Sequence, residues 1–439
     1  MPADALIVEN ELNRFRDAPG RVSPAFGTTH IRKALVELGD PQDRIPRAIH
    51  LTGTNGKGST GAFIRAMAEA AGLKVHVFTS PHLLRINERI RIASELVSDD
   101  ELAEVLAHIA KRTQGLTYFE ALTAAAFCLF AHHRADISII EVGAGGATDA
   151  TNVMHQPAAT VVTPISLDHE AMFGLKGVAA IARLKAGIFR EGVPAVLADQ
   201  PAIALGVLRE EARAAAAPVT WAGHDWTSRW NGQAFIYESK TLTIRAPWLG
   251  LPGQHQAQNA GAACAVLEAM DEYRVKPEAM SAGLREAAWP ARLQRLKPGP
   301  LAPENGPPVW IDAAHNPGGA EVLADAIRAL APEEGDKVAL IFAIQEAKDA
   351  ESVLKQLVPV SAEVIVCPLP DSGGQEGGPG ADPQRLAGIV DALGGKGNVA
   401  SGFADAITQA RDRGADRIYV CGSVYLCGAV LAANGESVT

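Results

Sequence analysis

Residues Ala48–Ser59 read AIHLTGTNGKGS, and this stretch indicates the fold. An apolar strand, Ala48–Thr52, runs into a glycine-rich loop, and the run GAFIRAMAEAAG beyond the loop has a helical pattern. In this context backbone N–H groups and the positive end of the helix dipole cradle phosphate oxygens. Lys57 adds a full positive charge and Ser59 a hydroxyl group. The stretch therefore predicts a strand, a loop that binds a triphosphate, and a helix.

The loop departs from the common spacing G-x-x-x-x-G-K-[ST]. No glycine stands five residues before Gly56, and Gly58 separates Lys57 from Ser59. A generic kinase interpretation is therefore weaker than nucleotide binding by a variant loop. A glycine-rich structural turn is the alternative, but it does not account for a strand, a helix, a lysine and a hydroxyl in this order. The loop residues predicted to bind ATP are Thr54, Asn55, Gly56, Lys57, Gly58 and Ser59.

Composition and charge limit the functions open to the chain. Its 439 residues exceed the roughly 250 to 300 at which one hydrophobic core stops growing, so two or three domains are expected. Lys and Arg total 40 against 50 Asp and Glu, and the net charge of −10 gives no general attraction to nucleic acid or anionic lipid. The N-terminal residues lack the apolar run of a signal peptide, and the five cysteines show no metal-ligand spacing. We expect a cytoplasmic protein with neither a nucleic-acid nor a membrane partner.

The apolar pattern is typical of an α/β protein. Short runs rich in Val and Ile alternate with longer Ala- and Leu-rich runs, as in strands and helices that build a parallel sheet. The predicted strands are Ala48–Thr52, Lys74–Thr79, Asp136–Val142, Thr160–Pro164, Val309–Ile311, Val338–Phe342, Ala362–Cys367 and Arg417–Cys421. The apolar run Ala121–Ala131 predicts a buried helix. Alternation of polar and apolar residues between Trp226 and Arg245 predicts one or two antiparallel strands added to the main sheet.

A proline-rich segment divides the chain. Five prolines occur in Lys297–Pro308, which can neither continue a helix nor form a central strand. We therefore expect a nucleotide-binding domain over residues 1–296, a linker over 297–308 and a second α/β domain over 309–439.

Further sequence blocks resemble one family in the same order along the chain. They are TSPHL at Thr79–Leu83, TYFEALTAAAF at Thr117–Phe127, EVGAGGATDATNV at Glu141–Val153, LDHEAMFG at Leu167–Gly174, LKAGI at Leu184–Ile188, GQHQAQNAGAA at Gly253–Ala263, WPARLQ at Trp289–Gln294, DAAHNPGG at Asp312–Gly319 and CGSVYLCG at Cys421–Gly428. Together with GTNGKGS they resemble the folylpolyglutamate synthase and dihydrofolate synthase family, which is related to the Mur ligases. Chance agreement of so many ordered blocks is negligible.

The resemblance implies a fold and a reaction. The fold would be an N-terminal Mur-ligase-like ATPase domain with a phosphate loop and a parallel-sheet core, followed by a smaller Rossmann-like α/β domain. The reaction would be ATP-dependent joining of L-glutamate to dihydropteroate, to folate or to both, through an acyl phosphate, in folate biosynthesis. The implied cofactors are two Mg²⁺ ions, ATP as co-substrate and K⁺. The implied partners are these small molecules, and a monomer is expected.

The candidate magnesium ligands begin with Glu141. It follows the apolar run DISII at the carboxyl end of a strand, where α/β sites lie, and Mg²⁺ prefers oxygen ligands. The resemblance implies one Mg²⁺ ion at Glu141 and Ser80 and a second at His169. The alternatives are a turn or helix-cap hydroxyl for Ser80 and a hydrogen-bonded structural histidine for His169.

Lys185 resembles a lysine that related enzymes carbamylate with CO₂, which would turn a cation into an anion beside the metal. An ordinary helical lysine is the alternative, and this chain has Leu184 where the family usually has Glu. Burial beside apolar residues would favour the neutral amine that the modification requires. The implied catalytic residues are Lys57, His169 and Lys185.

Other site residues follow from the resemblance alone. Asn259 and Arg292 resemble ATP-contacting residues, and Asp312 with His315 is similar to a pair that meets the nucleotide from the second domain. The implied pterin-binding residues are Phe26, Thr117, Tyr118, Phe119, Glu120, Thr148, Asp149 and Ala150. Aromatic rings suit a flat heterocycle, although a buried helix start is the alternative for TYFE. The chain has GTTH at Gly27–His30 where the family tends to have GLER.

Two other functions remain open at this point. One is a Mur-type ligase that acts on a cell-wall nucleotide precursor, and the other is an ATP-binding relative that has lost ligation. Gly58, TSPHL and TYFE favour the folate branch over the first. The presence of Glu141, His169 and Lys185 together favours catalysis over the second.

Overall fold

The structure is a computed structural model that describes residues 3–16, 27–167, 173–270, 275–330, 335–370 and 378–437. The chain divides into two compact units. The first comprises Met1–Ile165, His169–Gly250 and Gln256–Ala288, and the second comprises Ser166–Asp168, Leu251–His255 and Trp289–Thr439. Among the described residues, no helix is both long enough and apolar enough to cross a membrane.

The first unit is built on an eight-stranded sheet. Its strands are β1 (Ala48–Thr52), β2 (Val75–Phe78), β3 (Ile90–Ile92), β4 (Glu95–Leu96), β5 (Ile137–Glu141), β6 (Ala159–Val162), β7 (Ala195–Leu197) and β8 (Val219–Trp221). Their order is β4-β3-β2-β5-β1-β6-β7-β8. All neighbours from β2 to β8 are parallel, whereas β3 and β4 are added antiparallel at one edge. Every residue of β1, β2, β5 and β6 is buried, as expected for a parallel sheet covered on both faces.

Nine described helices belong to the first unit. They are α1 (Ala3–Arg16), α2 (Thr29–Glu37), α3 (Lys57–Ala70), α4 (Asp99–Arg112), α5 (Tyr118–His132), α6 (Val178–Ala186), α7 (Ala202–Ala214), α8 (Gln256–Ala269) and α9 (Pro277–Glu286). The predicted buried helix at Ala121–Ala131 is confirmed within α5, whose apolar side chains share a core with Phe78 and Ile140.

The segment between Trp226 and Arg245 differs from the prediction. It forms three strands, β9 (Trp226–Trp230), β10 (Phe235–Ser239) and β11 (Thr243–Ala246), in a separate antiparallel sheet, so their predicted addition to the main sheet was wrong. The small sheet packs on α8 because Gly261 leaves room for Trp226 and Ser228: a Cβ at Gly261 would lie 2.2 Å from Ser228 Oγ. Glu268 of α8 accepts hydrogen bonds from Tyr237 Oη at 2.5 Å and from other hydroxyls of this sheet.

The second unit has a six-stranded sheet. Its strands are β12 (Gln294–Arg295), β13 (Val309–Asp312), β14 (Val338–Phe342), β15 (Glu363–Val366), β16 (Gly397–Val399) and β17 (Arg417–Cys421), in the order β12-β13-β17-β14-β15-β16. Only the short β12 is antiparallel to its neighbour. Its described helices are α10 (Pro317–Leu330), α11 (Ala350–Leu357), α12 (Pro383–Ala392), α13 (Phe403–Asp412) and α14 (Val424–Ala433).

The eight strands predicted from apolar runs match the observed strands to within two residues at each end, whereas β3, β4, β7, β8, β12 and β16 were not predicted. The α/β fold class is confirmed. The unit boundary at Trp289 differs from the linker expected at residues 297–308. That segment belongs to the second unit, where Leu301 and Ala302 are buried. The main chain of Leu301 donates to Asn434 Oδ1 at 3.0 Å, which ties the proline-rich segment to the end of α14.

Candidate active site

The phosphate loop leaves the sheet at β1, which lies between β5 and β6. Gly53 has a φ of +144°, and a Cβ there would lie 1.9 Å from Thr163 Oγ1. Gly56 has a φ of +87°, and a Cβ there would lie 2.4 Å from Asn259 Oδ1. Both positions combine a backbone that L residues rarely adopt with a close neighbour, so they require glycine. Asn259, one of the predicted ATP contacts, therefore lies directly against the loop.

The segment after β6 supports the phosphate loop. The main-chain N–H groups of Thr54 and Asn55 donate to Pro164 O at 3.0 and 3.2 Å. Gln200 fixes this segment in turn, because its Oε1 accepts from the N–H of Ile165 at 3.0 Å. The sequence motifs do not include these roles of Pro164 and Gln200, since nothing in either local sequence indicates a partner that is distant in the chain.

The helix that follows the loop begins at Lys57. Lys57, Gly58 and Ser59 form its first turn, and the N–H of Thr60 makes the first helical bond, to Gly56 O at 2.8 Å. The N–H groups of a first turn have no intrahelical partner, and together with the helix dipole they favour an anion. Thr60 was also missed. Its Oγ1 is buried and has no hydrogen-bond partner among the described residues.

Lys57 and Glu141 form the charged centre of the site. Lys57 Nζ lies 3.2 Å from Gly53 O, 3.3 Å from Thr54 O and 4.0 Å from Glu141 Oε1. Glu141 is 5% exposed and ends β5, directly opposite Leu51 of β1. The cation therefore lies on the loop's own carbonyl groups, beside a buried carboxylate, at the carboxyl edge of the sheet where α/β proteins bind ligands.

Two of the candidate metal ligands, Ser80 and Glu141, lie at one edge of the sheet. Phe78 of β2 pairs with Ile140 of β5, so Ser80, two residues beyond Phe78, lies at the same edge as Glu141. Ser80 is half-buried. A carboxylate and a hydroxyl are oxygen donors of the kind Mg²⁺ prefers, and this ion keeps several waters, so the two residues fit it. Within the described residues, no group of three His, Cys, Asp or Glu side chains forms a metal-binding cluster. His169 lies outside those residues.

Lys185 lies on α6, and the structure brings it to the phosphate loop. Its Nζ donates to Gly53 O at 2.8 Å, and the residue is 6% exposed. Leu184 packs on Gly145, where a Cβ would lie 3.0 Å from Leu184 Cδ2, and its carbonyl accepts from the N–H of Ala147 at 2.9 Å. The loop that follows Glu141 is thus packed against the helix that carries Lys185.

Asp149 braces that loop from within. Its carboxylate accepts from the N–H of Ala144 at 2.9 Å, and from the N–H and Oγ1 of Thr151 at 2.9 and 2.6 Å. Burial raises the pKa of Asp149, while these hydrogen bonds lower it. Thr151 Oγ1 also lies 2.9 Å from His50 Nε2 in β1. Burial lowers the pKa of His50 to about 3, and the charge of Arg190 adds to the effect. Asp149 therefore braces the loop, and its role in substrate binding stays a prediction.

Beside Asp149, Thr148 and Ala150 complete the predicted substrate residues of this loop. Ala150 is 7% exposed. Thr148 Oγ1 is buried and has no hydrogen-bond partner among the described residues. Of these three residues, Thr148 is therefore the one with a buried side-chain hydroxyl that lacks a hydrogen-bond partner in the described part of the chain.

The TYFE block begins a helix. Thr117 Oγ1 accepts from the N–H of Glu120 at 3.3 Å, and Glu120 Oε2 accepts from the N–H of Thr117 at 2.9 Å, which makes a capping box for α5. Tyr118 is 5% exposed. Phe119 differs from the other three, because its ring covers Gly143 just beyond β5: a Cβ on Gly143 would lie 2.4 Å from Phe119 Cζ. Phe26, also predicted to bind substrate, lies outside the described residues.

The second unit brings Arg292 and Asp312 together. Asp312 ends β13, and its two oxygens accept from the N–H groups of Leu293 and Ala314 at 2.8 and 2.9 Å. Burial raises the pKa of Asp312, and the charge of Arg292 lowers it. His315 follows three residues later, and its Nδ1 lies 2.8 Å from Ala313 O.

Comparisons with known proteins agree with this architecture. Residues 51–267 match the Mur ligase middle domain, and residues 292–424 match the glutamate ligase domain of the Mur ligases. The dihydrofolate synthase/folylpolyglutamate synthase of Bacillus subtilis is 35% identical over 76% of this chain and 79% of that protein. The folylpolyglutamate synthase of Lacticaseibacillus casei is 32% identical over 90% of this chain and 91% of that protein.

Solved structures give the same result. A Mycobacterium tuberculosis folylpolyglutamate synthase complexed with ADP and AMPPCP is 29% identical, with a TM-score of 0.84 over 100% of this chain and 99% of that one. E. coli FolC in complex with DHPP and ADP is 29% identical, with a TM-score of 0.85 over 98% of each chain.

The fold and the phosphate-loop site are therefore those of a Mur-type ligase. Within that class, the chain belongs to the dihydrofolate synthase/folylpolyglutamate synthase family. The family and the Mur-ligase-like fold predicted from the sequence blocks are both confirmed.

Proposed function

We propose that the chain is an ATP-dependent ligase that joins L-glutamate to dihydropteroate, to folate or to both. The observation that carries this function is the charged centre, in which Lys57 Nζ lies 4.0 Å from the buried Glu141 at the mouth of a glycine loop and a helix N-terminus. The named activities and the ADP complexes of the similar proteins support the same reaction.

The loop would hold the triphosphate through main-chain donors. The N–H groups of Lys57, Gly58 and Ser59 lie in the first turn of α3 and suit phosphate oxygens. The hydrogen bonds of Lys57 Nζ are to two loop carbonyls, at 3.2 and 3.3 Å, and Glu141 Oε1 lies farther away, at 4.0 Å. Exchanging these neutral acceptors for a phosphate anion gains a charge-assisted hydrogen bond, so Lys57 would turn to the γ-phosphoryl group.

The reaction would proceed in two steps. A carboxylate oxygen of the pterin substrate attacks the γ-phosphorus, and the bond to the β-γ bridging oxygen breaks, so that ADP leaves and an acyl phosphate forms. The glutamate amine then attacks the acyl carbon, loses a proton, and expels inorganic phosphate to leave an amide. Lys57 stabilises the charge that gathers on the transferred phosphoryl group, which is the main task of such a site.

Glu141 and Ser80 are the proposed ligands of one Mg²⁺ ion, and His169 and Lys185 are those proposed for a second. Bound Mg²⁺ would neutralise phosphate charge and align the triphosphate. We propose that Lys185 becomes a carbamate, because a cationic amine beside the metal would oppose it. Its burial and its position 2.8 Å from Gly53 O support a place next to the phosphates. K⁺ is proposed as a further cation.

The remaining contacts are proposed unit by unit. In the first unit Asn259, which lies against Gly56, would contact the nucleotide. In the second unit Arg292, Asp312 and His315 would do so. Phe119 would stack on the pterin, and Thr148 would donate to it or accept from it, since its buried hydroxyl has no partner among the described residues. We propose a cytoplasmic monomer.

The experiment is a coupled assay of ADP formation with Mg·ATP, L-glutamate and either dihydropteroate or tetrahydrofolate. ADP should form only when both glutamate and a pterin are present, and mass spectrometry should show the glutamylated product. The two pterins, tested separately, decide between one ligase activity and two. Turnover with a cell-wall nucleotide precursor and not with either pterin would overturn the proposal. ATP binding without turnover of any acceptor would favour a non-catalytic relative.

A further inference from the structure

Arg292 lies between two residues with a rare backbone conformation. Ala291 has a φ of +54° and Leu293 a φ of +46°, both in the left-handed region. Non-glycine residues avoid this region because their Cβ crowds the following carbonyl oxygen. Such conformations persist where neighbouring structure enforces them, and they concentrate at functional sites. The two flanking residues are 0% and 3% exposed, so both are anchored in the unit.

Hydrogen bonds from main-chain N–H groups to two different side chains hold this turn. Gln294 Oε1 accepts from the N–H of Ala291 at 3.0 Å, and Asp312 Oδ2 accepts from the N–H of Leu293 at 2.8 Å. The carbonyl of Ala291 accepts from the N–H of Ala313 at 3.1 Å. The residues before and after Arg292 are thus each fixed by a named acceptor.

Gln294 is itself held in place. It pairs with Ile311 where β12 joins β13, and its Nε2 donates to Glu436 Oε2 at 3.4 Å. Its amide oxygen therefore faces the turn while its amide nitrogen is engaged elsewhere. No part of the site prediction included Gln294.

Fixing the backbone on both sides fixes the direction in which the side chain of Arg292 leaves the turn. Arg292 is half-buried, whereas its two neighbours are enclosed. Its Nη1 donates to Ala291 O at 2.9 Å, so the guanidinium also lies along the same turn. A side chain held in one direction loses less conformational freedom when it binds a ligand.

We propose that Gln294 and Asp312 hold Ala291 and Leu293 in the left-handed conformation so that Arg292 is presented in one direction, which makes Gln294 a positioning residue for nucleotide binding. This inference rests on the proposed role of Arg292 in contacting ATP. It deepens that role by assigning the residue that keeps Arg292 ready to bind.

The first test removes the acceptor. Gln294→Met keeps the side-chain length but cannot accept from the N–H of Ala291, so KM for ATP should rise by about tenfold while kcat stays within about twofold. In the double variant Gln294→Glu with Glu436→Gln, the carboxylate at position 294 accepts from the N–H of Ala291 and from the side-chain amide at position 436. Both hydrogen bonds are therefore present, with the second donated from the opposite side. This variant should have most of the affinity for ATP that Gln294→Met loses. Equal losses of kcat and of affinity, with no rescue, would contradict a positioning role.

The second test loosens the turn without touching its hydrogen bonds. Ala291→Gly removes the left-handed strain and lets the backbone move, so KM for ATP should rise severalfold without a fall in the unfolding temperature. Ala216→Gly is the matched control, because Ala216 has a φ of +52° in the exposed turn between α7 and β8. It should leave KM unchanged. An equal change of KM in both variants would contradict the inference.

A double-mutant cycle separates the inference from the function on which it rests. If Gln294 acts through Arg292, then adding Gln294→Met to Arg292→Ala should raise KM no further. If Arg292→Ala alone leaves KM unchanged, the proposed role of Arg292 is wrong. If Arg292→Ala raises KM and Gln294→Met does not, the role of Arg292 stands and the positioning inference is overturned.

Discussion

The phosphate loop and the Arg292 turn can be compared directly. Lys57 lies 4.0 Å from the buried Glu141 and follows two glycines with positive φ. Arg292 acts on the pKa of the half-buried Asp312 and is flanked by an alanine and a leucine with positive φ. Each region thus combines a cation, a carboxylate and left-handed backbone, and the two regions differ in the residues that adopt that backbone.

The difference follows from what surrounds each turn. At Gly53 a Cβ would lie 2.8 Å from the main-chain oxygen of Thr163, which cannot move aside easily. The phosphate loop therefore depends on glycine. At Leu293 the side chain is buried, so it contributes apolar contacts that offset the roughly 1–2 kcal/mol cost of the left-handed conformation. The side-chain oxygens of Gln294 and Asp312 then hold a backbone conformation that glycine would adopt without strain.

The largest expected effect comes from removing the cation of the glycine loop. Lys57→Ala should lower kcat by about a thousandfold or more, because the γ-phosphoryl charge then lacks its side-chain donor. Its two hydrogen bonds are to loop carbonyls, so the unfolding temperature should change little. ADP formation and thermal unfolding measure the two outcomes. Lys240→Ala, in an exposed turn, should alter neither. If a folded Lys57→Ala variant showed normal turnover, the loop cation would not be needed for catalysis, and the comparison of the two cations would fail.

The two carboxylates should respond differently. Glu141→Gln keeps the shape of the side chain but removes its charge, so the Mg²⁺ concentration for half-maximal activity should rise and kcat should fall by about a hundredfold. Asp312→Asn should instead raise KM for ATP, since one of the two side-chain oxygens that accept from main-chain N–H groups is lost. Titration of activity with Mg²⁺ and with ATP checks both. The same response to Mg²⁺ in both variants would show that the two regions do not differ in this way.

Adding a methyl group to the glycine loop tests its steric limit. Gly53→Ala should destabilise the first unit by about 2–4 kcal/mol, since conformational strain and contact with Thr163 add. Gly192→Ala is the matched control, because Gly192 has a φ of +71° and no atom within 4 Å of an added Cβ. Its cost should be limited to the strain, about 1–2 kcal/mol. Denaturant unfolding measures both. Equal costs would mean that close approach does not explain the glycine.

The smallest expected effect is on acid stability. Burial lowers the pKa of His50 to about 3 and that of His255 to about 4, from 6.5 in each case. Protons therefore bind the unfolded chain more readily below pH 6.5, and stability falls as the pH falls. Each histidine should cost about 2 kcal/mol between pH 7 and pH 5. His50→Gln should flatten this dependence for the first unit and His255→Gln for the second. Unfolding temperatures at both pH values check the prediction, and a wild-type protein equally stable at both would contradict it.

Much of the fold could be predicted from the sequence. Eight strands were found to within two residues at each end because their apolar runs are continuous, whereas the short strands β3, β4, β7, β8, β12 and β16 were not predicted. The phosphate loop was found because glycine, lysine and the helix pattern are contiguous. Between Trp226 and Arg245 the same reasoning identified antiparallel strands but assigned them to the wrong sheet, since alternation shows that one face is buried and not what covers it.

The candidate site was less predictable. For TYFE the sequence left a pterin contact and a buried helix start open; the structure shows the helix start, with a capping box of Thr117 and Glu120, and the pterin contact stays a prediction. Pro164 and Gln200 carry no motif at all. They support the phosphate loop only because β6 lies beside β1, and strand order is not written in local sequence.

By itself the sequence determined the α/β class, the phosphate loop and the family, because propensity, apolar pattern and side-chain chemistry are properties of contiguous residues. Tertiary structure alone decided that Lys185 Nζ lies 2.8 Å from Gly53 O, although the two residues are 132 positions apart in the chain. It also decided that Ala291 and Leu293 are left-handed, a conformation both residues avoid locally. Contacts made by distant segments outweigh the local conformational preference of these residues. A local sequence pattern does not predict such contacts.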